Sequence, residues 1–274
     1  MRFSIVTPSF NQVQFLGKTI ESIWKQRGNF EIEHIIVDGG STDGSVELIR
    51  EYEEKLRRGE YAGYCNNLQL KWRSQSDNGQ SEALNAGLGR ATGEILAYLN
   101  SDDLYEPRAL QEVQKTFIRF PALHWAYGRC RIVDEQGKEI QRFIKWYRTL
   151  LGRFYSRNML LVVNTVPQPA TFWKTSAAKI VGPFSEREDL CMDYDYWCRL
   201  SERFPARQIP KTIASFRVHS VSKGGTRFIQ QFNDEYRIAV GHTANRLLLW
   251  LHRIHMKLVV MVYSRMRPSS ARAI

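Results

Sequence analysis

Three short apolar runs in this chain end in the same way. FSIVT at 3–7 runs into Pro8-Ser9, HIIV at 34–37 into Asp38-Gly39-Gly40, and EILAYLN at 94–100 into Ser101-Asp102-Asp103. Runs of this length read as buried strands, and each is followed by helical spacing. Leu16, Ile20, Ile23 and Trp24 form one stripe over 16–26, and 46–56, 80–90 and 107–120 read likewise, with Pro107 suited to a first turn. Strand alternating with helix over the first 120 residues predicts an α/β fold, a Rossmann-like, mostly parallel central sheet with helices on both faces. In such sheets ligands lie beyond the carboxyl ends of the strands, so the three polar clusters share one rim.

The second half is less regular. Between the helix ending near Leu56 and SQSDNGQ at 74–80, a stretch with Trp72 reads as irregular. The stretch 124–140 reads as a hairpin turning at 135–137, 141–165 is basic and aromatic, and VPQPATFWK at 166–174 is extended around two prolines. A helix is expected over 193–203 and a strand over 209–219. From 246 the spacing predicts an amphipathic helix, with Leu247, Leu251, Ile254, Leu258 and Met261 on one stripe and Arg246, Arg253, Lys257 and Ser264 opposite. His252, Arg253, His255 and Lys257 interrupt it too often for a membrane span. It is expected either to lie on an anionic membrane surface or to dock on its own domain.

Lys plus Arg number 39 against 28 Asp plus Glu, a net charge of +11, so anionic partners are expected. No acidic residue lies between Glu139 and Glu186 or after Glu235. No RNP, helix-turn-helix or zinc pattern is present, which argues against nucleic acid. Four cysteines without a CxxC pair, and an N-terminus without an apolar h-region, lead us to expect a reducing, cytoplasmic setting.

The adjacent carboxylates of Asp102 and Asp103 are costly at a buried strand's end unless something neutralises them. A divalent cation would do so, and the alternative is helix capping just ahead of Glu106-Pro107. Asp38 offers an acceptor where a flat N–H edge such as uracil or guanine could pair, with Thr7, Pro8 and Ser9 beside it; the alternative is simple turn chemistry.

Taken together, TPSFNQ at 7–12, IIVDGGSTDGS at 35–45, SDNGQSEALNAGL at 76–88 and LNSDD at 99–103 resemble the inverting family 2 glycosyltransferases of the GT-A fold. The resemblance spans about residues 3–220 and is densest in the first 105. It implies a nucleotide-diphosphate sugar, UDP- or GDP-linked, a divalent metal, Mg²⁺ or Mn²⁺, and a glycan or lipid-linked acceptor. It implies donor contacts from Thr7, Pro8, Ser9, Asp38, Asp77, Gly79, Asn85, Asn100, Ser101 and Asp102, and metal ligation by Asp102 and Asp103 with His219 as a further candidate. Asn100 replaces the first acid of the family's DxD element, and Gly39 stands where many relatives have a second acid. Asp193 aligns with the catalytic base, Asp195 being second choice, and Gln168 falls on the acceptor side with Trp173 as a candidate sugar-stacking platform. Lys223 would add charge at the leaving group and Gly224-Gly225 would hinge a lid. The organisation expected is a transferase domain over 1–240, divided near 105 into a donor and an acceptor half, and a basic helix and tail over 241–274, peripheral at the inner face of a membrane. Two other classes stay open: a nucleic-acid-binding protein, and a non-catalytic membrane-associated nucleotide-sugar-binding scaffold of a polysaccharide assembly system.

Overall fold

The computed structural model describes residues 1–140, 151, 155–188, 190–219 and 228–266, with side chains in the last helix as far as Met261. The first half of the chain runs β1 (Arg2–Ser9), α1 (Val13–Trp24), β2 (Gly28–Asp38), α2 (Ser45–Arg57), β3 (Cys65–Ser74), α3 (Gln80–Leu88) and β4 (Ile95–Tyr98). Then follow β5 (Leu104–Tyr105), α4 (Ala109–Arg119), β6 (Trp125–Val133), β7 (Glu139–Ile140), α5 (Arg157–Val162), β8 (Thr171–Lys174), α6 (Thr175–Val181), α7 (Met192–Arg203), β9 (Ala206–Arg217), α8 (Phe228–His242) and α9 (Arg246–Met266).

The strands form one sheet in the order β3-β2-β1-β4-β8-β6-β9-β5, with β7 on β6. The half from β3 to β4 is parallel, as predicted. Beyond β4 the sheet is mixed: β8 enters antiparallel between β4 and β6, whereas β6 and β9 run parallel. The stretch read as irregular is strand β3. Helices α5, α6 and α8 were not foreseen.

Side-chain alternation along β1 and β2 splits the core. Phe3, Ile5 and Ile36 face α1, α2 and α4, while Val6, Ile35 and Val37 face α3 and the later helices. Close approach matters at Gly87 of α3, where a Cβ would lie 2.5 Å from Val6 Cγ1. The C-terminal helix α9 packs on the domain through Leu248, Leu249 and His252, whose Nδ1–H donates to Leu161 O at 2.7 Å. Among the described residues no helix is long and apolar enough to cross a membrane.

Candidate active site

Parallel register brings Ser9, Asp38 and Ser74 side by side at one edge of the sheet, and β4 ends beside β1 at the same edge. Asp38, however, is wholly buried. Its Oδ2 accepts from Gly40 N (3.1 Å), Ser41 N (2.9 Å) and Ser74 Oγ (2.7 Å), and its Oδ1 from Ser41 Oγ (2.5 Å). A carboxylate so engaged folds the turn after β2 and ties β3 to it. It has no exposed acceptor for a base edge, contrary to the sequence expectation.

Thr7 also turns inward. Trp24 Nε1 donates to His34 Nδ1, which leaves the proton on Nε2 to reach Thr7 Oγ1, both at 2.9 Å. Burial pushes His34 down to about 3, so the ring stays neutral in this tautomer. Pro8 and Ser9 are buried as well, which restricts the tip of β1 to main-chain contacts. The side chain that stands out there is one the sequence reading passed over: Phe10 is 62% exposed. A Cβ at Gly39 would lie 3.3 Å from Phe10 Cδ2 and 3.1 Å from Asp77 Oδ2, so the ring and the Asp77 carboxylate converge on bare backbone. Asp77 Oδ1 accepts from Gly79 N at 3.0 Å, which leads into α3. Asn85, expected on the donor side, instead pairs with the backbone of Phe184 through both amide atoms (2.9 and 2.8 Å). Asp43, also overlooked, accepts from Val13 N and Ser45 N and so joins the starts of α1 and α2.

The residues after β4 form the second part of the rim. Asn100 Oδ1 accepts from Gln80 Nε2 (2.7 Å), its Nδ2 donates to Gln168 Oε1 (3.2 Å), and Gln168 Nε2 donates to Tyr98 O (2.9 Å). This amide chain draws Gln168 to the rim. Ser101 is buried, and Thr19 Oγ1 lies 2.8 Å from the carbonyls of Ser101 and Asp103, anchoring the loop to α1.

The two adjacent acids then part company. Asp103 is wholly buried, its Oδ1 accepting from Arg217 N at 2.9 Å, and burial together with the charge of Asp102 raises it well above the usual carboxylate range. It does not cap α4: the residue ahead of that helix is Arg108, in a left-handed conformation, with no side-chain cap. Asp102 has a different partner, its Oδ2 lying 2.9 Å from His219 Nε2, and the His219 ring lies against Phe15. Behind both acids sits Arg217, 1% exposed, its Nε on Asp102 O (2.8 Å) and its Nη1 on Glu135 O (2.8 Å) and Asp134 O (3.2 Å).

Asp193 lies in the first turn of α7, where a carboxylate is favoured, and its Oδ1 accepts from Tyr194 N at 2.8 Å. Burial, then the charges of Asp193 and Asp103, raise the Tyr98 hydroxyl well above its ordinary value. Asp195, roughly 200° further round the helix, is bound to Arg199 (2.9 Å) and His242 (3.4 Å) and is thereby removed as an alternative base. Trp173 is fully buried against Phe184, Tyr196 and Trp197 and is core rather than a sugar platform. Lys223, Gly224 and Gly225 lie outside the described residues.

For a metal, the mixed oxygen and nitrogen pair of Asp102 and His219 suits Mn²⁺ better than Mg²⁺, which takes oxygen ligands, with further oxygens to come from a substrate. Asp103, facing the Arg217 backbone, fits this role poorly. Among the described residues no group of three or more His, Cys, Asp or Glu is set to hold an ion unaided.

The sequence matches the model of the family described as glycosyl transferase family 2 over residues 4–173. It is 25% identical to a chondroitin synthase of Escherichia coli over 89% of this chain but 33% of that one, so the chain spans about a third of that relative's length. The fold is similar to Staphylococcus aureus TarS 1–349 in complex with UDP-GlcNAc, with a TM-score of 0.64 at 16% identity, over 88% of this chain and 66% of that one. A mannosyltransferase from Pyrobaculum calidifontis in complex with GDP-Man and Mn²⁺ gives 0.68 at 15% identity, over 99% and 77%. At these identities the structural likeness shows the fold, the α/β GT-A architecture.

Proposed function

The chain belongs to glycosyl transferase family 2, and from that premise we propose that it moves one sugar from a UDP- or GDP-linked donor to a glycan or lipid-linked acceptor, with a divalent ion and with inversion. The support that weighs most is the Asp102–His219 pair, 2.9 Å apart, beside the amide chain of Gln80, Asn100 and Gln168 at the carboxyl end of the parallel strands. In this reading residues 1–105 hold the donor, 106–240 complete the acceptor side, and the protein sits peripherally at the cytoplasmic face of a membrane. The nucleotide-sugar complexes of TarS and the mannosyltransferase support the donor class, and the chondroitin synthase a glycan acceptor.

The base would lie in the notch at Gly39, stacked on Phe10, with Asp77 accepting the N–H of a uracil or guanine edge. Asp102 and His219 would hold the ion, which supplies neutralisation of the departing diphosphate. The amides of Gln80, Asn100 and Gln168 span the ground between donor and acceptor and would orient sugar hydroxyls. Asp193 would take the proton of the acceptor hydroxyl as it attacks opposite the leaving group, and a single displacement inverts the configuration.

The test is a panel of UDP-, GDP- and TDP-sugars with Mn²⁺ or with chelator, read by thermal stabilisation and by transfer. One donor should stabilise the wild type only with metal, and Asp102→Ala should abolish that response. Asp193→Asn should keep it while transfer falls ~10²–10⁴-fold. Binding that is intact in a wild type that transfers nothing, with Asp193→Asn indistinguishable from it, would make the protein a non-catalytic binder.

A further inference from the structure

Helix α9 has two apolar faces, and the domain covers one of them. Leu248, Leu249 and His252 point into the protein. The stripe of Leu247, Trp250, Leu251, Ile254, Leu258 and Met261 stays in solvent, at exposures of 37% to 61%. At ~100° per residue these six side chains fall within an arc of roughly 100°. The stripe that marked the helix as amphipathic is therefore its outer face, and docking on the domain does not compete for it. The cations lie beside this stripe and not opposite it: Arg246, Arg253 and Lys257 are all exposed along its Trp250 edge. No acidic residue follows Glu235 in the sequence.

An exposed apolar band of this size with a cationic margin, an aromatic at the border and no acidic residue is complementary to an anionic lipid surface. There acyl chains receive the band and phosphates the margin. We propose that the outer face of α9 is a membrane-docking surface that inserts Trp250, Leu251, Ile254 and Leu258 into the headgroup boundary of anionic lipid. The inner face stays fixed to α5 and α8. A groove of about 280 Å³ between α8 and α9, lined by Ile229, Phe232, Met256, Val260 and Met261 with Asn233 and Lys257, borders the cationic margin. The helix thus acts as a rigid float, held to the transferase domain by His252 on Leu161 O and by the Arg253 guanidinium over Tyr236.

The proposal needs no enzymatic activity, and its test reads lipid binding alone. Full-length protein is sedimented with vesicles of phosphatidylcholine, or of phosphatidylcholine with phosphatidylglycerol, at low and high salt. Binding is expected on the anionic vesicles only, weakening as salt rises. Leu251→Ser with Leu258→Ser should weaken it ~tenfold or more, and Lys257→Glu about fivefold. Arg57→Ser with Arg58→Ser, on α2 and the residue after it, should leave it unchanged. Both leucines are exposed, so their variants should melt as the wild type does. No binding to anionic vesicles overturns the proposal, as does binding that the leucine variants leave intact. A dimer in solution that those variants dissolve, without any change in vesicle binding, assigns the face to a second copy and overturns it equally.

Discussion

Arg217→Met tests whether the rim is held from behind. The Arg217 guanidinium lies within hydrogen-bond distance of three carbonyls, Asp102 and Glu135 at 2.8 Å and Asp134 at 3.2 Å, and lies over Phe15 at 5.0 Å. Two of these bonds are short, and a hydrogen bond from a charged group contributes about 1.5–3 kcal/mol, so removing both costs about 3–6 kcal/mol. Methionine keeps the packing on Phe15, which leaves a loss of about 3 kcal/mol. That corresponds to a fall in melting temperature of about 6–12 °C. Urea unfolding gives the free energy directly. The Arg217 N–H on Asp103 survives the substitution, being main chain, so the variant isolates the side chain's hold on the Asp102 carbonyl. With that hold lost, Asp102 and His219 no longer keep their 2.9 Å spacing, and metal-dependent donor stabilisation should weaken more than metal-free nucleotide binding does. A variant within 1 kcal/mol of wild type, with its metal response unchanged, would refute the reasoning.

Trp173→Ala should cost about 3–5 kcal/mol in chemical denaturation, because the indole is wholly enclosed by Phe184, Tyr196 and Trp197. A raised KM for acceptor at unchanged stability would restore it as a sugar platform. Acid should destabilise the protein in two windows. His34, ordinarily near 6.5, is pushed down to about 3 by burial, so below pH 6.5 the unfolded chain binds a proton that the folded one refuses, and stability falls until pH 3. Burial alone would raise Glu33, but bonds from Lys71, Ser4 and Thr92 bring it from 4.5 to about 2, and its contribution is lost over that lower range. Unfolding free energies measured between pH 7 and 4.5 should slope less in His34→Gln than in the wild type, and equal slopes would remove His34 as the cause.

The donor half was legible because each of its strands is a continuous apolar run that stops at turn residues, and burial on both faces leaves no other reading of FSIVT or HIIVD. Strand β3 escaped because CNNLQLKWRS lies at the edge of the sheet. It pairs with β2 alone and stays partly wetted, so no apolar run marks it. The placing of β8 was out of reach for another reason. The Leu96–Trp173 and Trp125–Trp173 pairings join segments far apart in the chain, and local spacing carries no trace of them. The site divides in the same way. Its residue types and its edge of the sheet were readable, whereas the orientation of Asp102 and Asp103 depends on a main-chain N–H of Arg217 arriving from β9. Arg217 itself, in SFRVH, looks like any solvated cation on a strand.

The acids of the rim follow one physical rule. A carboxylate that is buried without partners is costly, and two close together raise each other's pKa, so a cluster of acids can stay folded only if some are neutralised by the protein itself. Asp38 is neutralised by turn donors and Ser74, Asp103 by the Arg217 backbone and its raised pKa, and Asp195 by Arg199 and His242. Three further acids stand near them: Asp77 beside Gly39, Asp102 against His219, and Asp193 at the start of α7. The adjacency of like charges at 102 and 103 is thus a division of labour in which the inner acid fixes the loop and the outer acid is left to His219.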